Sequence, residues 1–177
     1  MTSFLTDITT LRERARAKMD QGPITDAYGA DRDKVVEVLN EALATEIVCV
    51  LRYKRHYFMA DGINAGPVAQ EFLQHANEEL GHADRIAVRI VQLQGEPNFS
   101  PVDLTERSHA EYVEGDSLVE MIKEDLVAER IAIESYAEII QWLGLKDPTT
   151  RRLMEDILAM EEEHADDLLN LLADLDT

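Results

Sequence analysis

Leu158–Leu169 reads LAMEEEHADDLL. Glu161, Glu162, Glu163 and His164 interrupt an otherwise apolar, helix-forming run. The fold turns on whether these charges face water or the interior. Apolar residues of a core-facing helix recur at alternating steps of three and four. Met154, Ile157, Leu168 and Leu171 keep that step, and Glu161 and His164 fall on the same line. Residues i and i+3 share one helix face. Glu161 and His164 therefore point inward, and Glu162 and Glu163 point to water. Inward charge needs something to compensate it.

Three more segments carry the same signature. From about Asp31 to Ala60 the stripe is Leu39, Ala42, Glu46, Cys49, Tyr53. From about Pro67 to Gly95 it is Phe72, His75, Glu79, His82, Ile86, Ile90, Leu93. From Asp116 or Ser117 to Gly144 it is Ile122, Leu126, Glu129, Ile133, Tyr136, Ile140, Leu143. Each stripe is apolar at its ends and acidic near its middle. Pro67 is tolerated at the first helical position, and Asp116, Ser117 and Asp147 can cap. The fourth helix follows Asp147-Pro148 and runs to about Leu172. The remaining residues leave no room for a fifth helix there.

The spacing of the breakers sets the topology. "DGINAGP" and "GLKDP" are short connections, whereas "EPNFSPVDLTERSHAEYVEG" is a crossover of roughly twenty residues, long for a compact domain. Two antiparallel helical hairpins joined by a long crossover is the connectivity of a ferritin-like four-helix bundle, so the fold class is all-α. Asp7 to Asp20 forms a short helix, and "QGPITDAYGAD" is a linker. Residues 1–30 are then an N-terminal extension, and residues 31–177 the bundle domain. A chain of 177 residues, 45% hydrophobic, suffices for one such core.

Composition excludes several functions. The net charge of −19 disfavours direct DNA binding, which rests on Lys and Arg against phosphates. An acidic surface instead gathers cations, or is simply solvated. Cys49 is the single cysteine, so there is no internal disulfide and no CxxC metal knuckle. No apolar run approaches a membrane span, and the N-terminus lacks a secretory leader, so a cytoplasmic location is expected.

The inward acids repeat as a pattern. Glu79 follows Glu46 by 33 residues, and Glu161 follows Glu129 by 32. Each second glutamate heads a Glu-x-x-His: Glu79 with His82, Glu161 with His164. One such motif in an acidic protein is commonplace; two at core phase, each with an upstream core glutamate, are not. An unpaired buried carboxylate costs several kcal/mol even after relaxation. Two divalent cations would balance four carboxylates. Carboxylate with imidazole suits iron, manganese or zinc, and this is the ligand set of di-iron carboxylate bundles. Outward tilt of these residues, or carboxylate–imidazole ion pairs, are the readings without metal.

The stretches "NEALATEIVCVLRYKRHYFMADG", "EELGHADRIAVRIVQLQGEPN", "DLVAERIAIESYAEII" and "ILAMEEEHADDLL" resemble the bacterioferritins and their smaller Dps-like relatives. The resemblance covers about Val35 to Leu172 and all six ligand positions. It implies that Glu46 and His82 hold one metal, Glu129 and His164 the other, and that Glu79 and Glu161 bridge. Tyr53 matches a family tyrosine beside the site and is the candidate catalytic residue, able to hydrogen-bond a ligand or donate an electron; as a plain core tyrosine it needs only a partner for its hydroxyl. The implied activity is ferroxidase: two irons per subunit, Fe(II) oxidised by oxygen or hydrogen peroxide, for iron storage and oxidative-stress protection. The implied partner is further copies of the chain in a shell, a 12-mer rather than a 24-mer since the fifth helix is lacking.

The pattern also departs from the family. Bacterioferritins place a haem-ligating methionine after the first bridging glutamate. Leu80 stands there, so the resemblance does not extend to haem at that position. Met59 could serve another haem geometry, although Met commonly packs. Typical Dps proteins build the iron site between subunits, whereas all six ligands here lie in one bundle. Cys49 has no second cysteine to form the dithiol of some relatives, and reads as a small hydrophobe. His75 reads as a satisfied core histidine, or one that braces the site or takes up iron. His56 and His109 read as surface or loop residues, and Trp142 as packing. The competing classes are a non-storing di-metal redox enzyme, such as a rubrerythrin-like peroxidase or a catalase, and a helical binding module.

Overall fold

The structure, a computed structural model, describes residues 6–63 and 65–175, and all their regular elements are helical. Helix α1 (Ile8–Ala17) is capped by Asp7, whose carboxylate accepts from the backbone N–H of Thr9 and Thr10. It buries no side chain, and a 3₁₀ turn over Met19–Gln21 follows it. The linker is held by its far end. Tyr28 Oη donates to Asp147 Oδ2 at 2.8 Å, and Gly29 N–H donates to Lys146 O.

The bundle comprises α2 (Arg32–Met59), α3 (Ala65–Gln92), α5 (Leu118–Leu143) and α6 (Pro148–Leu175). α2 packs on α3 and α5 on α6, and the two hairpins face each other. Their ends follow the chemistry of the sequence. Asp31 and Ser117 accept from the N–H three residues on, and Asp147 accepts from Thr150 N–H and Oγ1. α3 begins earlier than Pro67, which takes its third position. It stops in a Schellman turn, with Gln94 left-handed and Gly95 N–H donating to Ile90 O. α5 stops at Gly144, whose φ of 52° suits glycine. α6 runs one turn past Leu172.

The crossover holds a single helical turn, α4 (Leu104–Arg107). Polar side chains of α2 tie it down. Asn40 bonds both Glu96 O and Asn98 N–H, Thr45 Oγ1 accepts from His109 N–H, and Arg52 donates to Glu111 O at 2.8 Å. These bonds satisfy backbone that has no helix to satisfy it.

The core lies in two apolar clusters. Leu39, Ile86, Ile90, Leu143, Met154 and Ile157 fill one, and Tyr53, Phe72, Ile122 and Leu168 fill the other. Between them, by sequence position, lie the acids and histidines of the four stripes. Two expectations fail here. His56 is fully buried, not at the surface, and Trp142 is 42% exposed, too open to count as core packing.

Candidate metal centre

All six expected ligands are buried and meet in one place. α2 supplies Glu46, α3 supplies Glu79 and His82, α5 supplies Glu129, and α6 supplies Glu161 and His164. They form two groups of four whose donor atoms lie within 4.8 Å of one another. One group is Glu46, Glu79, His82 and Glu161; the other is Glu79, Glu129, Glu161 and His164. Glu79 and Glu161 belong to both.

The arrangement has an approximate twofold. His82 Nδ1 lies 3.0 Å from Glu161 Oε1, and His164 Nδ1 lies 3.1 Å from Glu79 Oε1. Tyr53, seven residues after Glu46, donates its hydroxyl to Glu129 Oε1. Tyr136, seven residues after Glu129, donates its hydroxyl to Glu46 Oε1. Each hairpin thus carries a glutamate, a tyrosine that grips the opposite glutamate, and a Glu-x-x-His.

The charges are poorly compensated by protein alone. Burial, and then the charge of Glu79, push Glu46 up to about 8. The same two causes raise Glu129 well above the usual carboxylate range. Glu161 is also pushed up by burial and by Glu46, but the nearby His164 and His82 outweigh them and hold it low. Burial favours neutral imidazoles, yet the surrounding carboxylates lift His82 to about 12 and His164 to about 11. The hydroxyls of Tyr53 and Tyr136 are raised by burial and by their glutamates, so both stay protonated donors.

A donor set of this kind fits two divalent cations. Glu46 Oε2, Glu129 Oε2, both oxygens of Glu161 and His82 Nδ1 are buried without a hydrogen-bond partner. His82 Nδ1 is near carboxylates but not aligned to bond them. Groups like these are seldom left orphaned in a core. Both histidines turn Nδ1 inward. His164 keeps Nε2 on Glu78 Oε2 at 3.0 Å, so a metal could replace the inner proton while the outer N–H still orients the ring.

Other residues singled out in the sequence fall as follows. His75 is buried, with Nδ1 at 3.3 Å from Tyr53 Oη, and its ring stacks on His164 with centroids 4.1 Å apart. Burial, and then His164, hold it down to about 3, so it is neutral. Its Nε2 has no hydrogen-bond partner, so His75 is not the satisfied core histidine expected. Cys49 is buried, and burial pushes its thiol well up, as for an inert core residue. Leu80 is 48% exposed, and Met59 is exposed too.

Sequence reading missed three features. Glu78 precedes Glu79 and lies off the stripe, so spacing gives no sign of its bond to His164. The cross-hairpin bonds of the tyrosines depend on how far one hairpin is staggered against the other. The third could have been found. Thr45, Cys49, Arg52 and His56 form a second stripe at core steps, and all are buried. On it, Arg52 Nε and His56 Nδ1 each lie 2.8 Å from a buried Asp125 oxygen.

Known proteins share this architecture. The bacterioferritin of Brucella melitensis is 34% identical over 146 residues, spanning 79% of this chain and 85% of that protein. Among solved structures, the dodecameric thioferritin of Bacteroides fragilis, a bacterioferritin-related protein, superposes with a TM-score of 0.80. It is 34% identical and covers 83% of this chain and 89% of its own. The Desulfovibrio desulfuricans bacterioferritin, solved with its diiron site in different catalytic states, gives a TM-score of 0.71. It is 28% identical and covers 80% of each chain. A family model described as the Ferritin-like domain matches residues 36–177, and the chain belongs to the ferritin family.

Proposed function

We propose that the protein is a ferroxidase that binds two Fe(II) per subunit, oxidises them with oxygen or hydrogen peroxide, and stores the Fe(III) inside a shell of its own copies. One observation carries this reading: two four-ligand groups, fully buried, share Glu79 and Glu161 and leave carboxylate oxygens without partners. Glu46 with His82 would hold one metal and Glu129 with His164 the other, and Glu79 and Glu161, which belong to both groups, would serve both. Two Fe(II) supply the two electrons that reduce oxygen to hydrogen peroxide, or peroxide to water. Tyr53 and Tyr136 keep Glu129 and Glu46 turned toward the centre by donating to their other oxygens. Manganese or zinc would fit the same donors. Residues 31–177 are the working unit, and residues 1–30 an extension to it.

A shell of twelve is favoured, because the similar Bacteroides fragilis protein is dodecameric. Phe58, Met59 and Ile63 give one end of the first hairpin an exposed apolar surface of the sort that subunit contacts bury. Among the described residues no helix is long and apolar enough to cross a membrane. The test is iron retained after anaerobic Fe(II) loading, oxidation and gel filtration. Tens of irons per subunit, eluting with a large assembly, is the expected result. A plateau at about two on a small oligomer would move the protein to the non-storing di-metal redox enzymes.

A further inference from the structure

The twofold of the centre breaks just outside it. Glu71 and His75 lie eight and four residues before Glu79, and Asp167 lies three after His164. Their counterparts in the other hairpin are Leu153, Ile157 and Arg85. One flank is apolar and cationic; the other gathers two carboxylates around an imidazole. The bundle therefore folds without such a cluster, and its presence on one side needs its own reason.

Hydrogen positions sharpen the point. Tyr53 has a single hydroxyl proton, and it goes to Glu129. The His75–Tyr53 bond must then be donated by His75 Nδ1, which turns Nε2 toward Glu71 and Asp167. That nitrogen is fully buried and without a hydrogen-bond partner, 3.4 Å from Glu71 Oε1 and 3.8 Å from Asp167 Oδ2. Two carboxylate oxygens and an unpartnered imidazole nitrogen thus converge, and all three lie within 4.8 Å of one another. The neighbouring group of His75, Glu78 and His164 is different, because His164 already donates to Glu78.

We propose that Glu71, His75 and Asp167 form a separate, mononuclear site for a divalent transition-metal cation beside the six-ligand centre. One imidazole and two carboxylates suit Fe(II), Mn(II), Co(II) or Zn(II), with water completing the coordination. The side chains of Glu71 and Asp167 are 30% and 40% exposed, whereas His75 is buried against His164. The site thus gives a cation a liganded stop between solvent and the centre. It does not depend on the centre oxidising iron.

Co(II) is the probe, since it is not oxidised under the conditions of binding and its anomalous scattering marks its position. Equilibrium binding to the metal-free assembly is compared between wild type and the double variant Glu71→Gln/Asp167→Asn. The variant should bind one Co(II) fewer per subunit, or bind that equivalent at least ~100-fold more weakly. Crystals of Co(II)-loaded wild type should show an anomalous peak among Glu71, His75 and Asp167. Equal binding by variant and wild type, or no peak there, overturns the proposal. Glu79→Ala separates the two sites. If the His75 peak persists while the centre's cations are lost, the third site stands alone. If it vanishes with them, the cluster belongs to the centre and the proposal falls.

Discussion

Glu79 lies in both four-ligand groups, so its removal would damage both proposed metal positions at once. Glu79→Ala should slow the rapid phase of Fe(II) oxidation by at least ~100-fold, read by stopped-flow absorbance of the ferric product. Oxidation at the wild-type rate would show that the chemistry lies elsewhere. Tyr53→Phe is a milder change. It removes the hydroxyl that holds Glu129 and accepts from His75, without removing any of the six donors. Oxidation should slow by roughly 10-fold while two Co(II) still bind at the centre. Loss of metal binding in Tyr53→Phe would make the tyrosine a structural prop instead. At this scale the sequence was informative wherever a residue lay on a core stripe, as Glu46, His82 and His164 do. It was silent about partners across the bundle. Nothing near Glu78 in the chain says that it meets His164, because that contact depends on how α3 and α6 are staggered.

Among the elements, α2 does two jobs: one stripe faces the centre and the adjacent one holds the crossover. Asp125 is the pivot of the second, receiving both Arg52 and His56 away from solvent. Asp125→Ala would leave the Arg52 guanidinium buried and unpaired. The variant's stability to urea should fall by about 3 kcal/mol, and amides near Glu111, held by Arg52, and Glu114, whose carbonyl lies 3.0 Å from His56 Nε2, should exchange faster. An unchanged midpoint would mean that water takes the place of Asp125. The helices themselves were legible because Gly and Pro cluster at their ends, and capping Ser117 and Asp147 mark the starts of two of them. The single turn α4 was not, since four residues are too short for a period to show. His56 was misjudged for another reason: the stripe that carries it also holds Thr45 and Arg52, which do not advertise burial.

For the whole molecule, the ionisation of the centre sets the pH response. Without metal, the folded state raises His82 and His164 from 6.5 to about 12 and about 11. Their stabilising effect is complete below about 6.5 and is lost as pH rises through those values. Glu46, raised from 4.5 to about 8, acts in the same sense, stabilising below 4.5 and fading through 8. Glu161, held low, acts oppositely: its contribution is present above 4.5 and is lost toward acid. Metal competes with the protons on the raised groups, so binding releases them. Between about pH 6 and 9 the metal-free protein should lose thermal stability, and the gap in Tm between zinc-loaded and metal-free protein should widen. Calorimetry at both ends of that range checks it; a constant gap would mean that protons do not hold the empty centre together. The broken twofold has a spectroscopic counterpart. Two irons held by matched glutamates, histidines and tyrosines would be indistinguishable if the match continued outward. Only His164 is backed by Glu78 and stacked on His75, so the electric-field gradients at the two nuclei should differ, and the Glu71→Gln/Asp167→Asn variant loaded with two irons per subunit should give two Mössbauer quadrupole doublets of equal area rather than one.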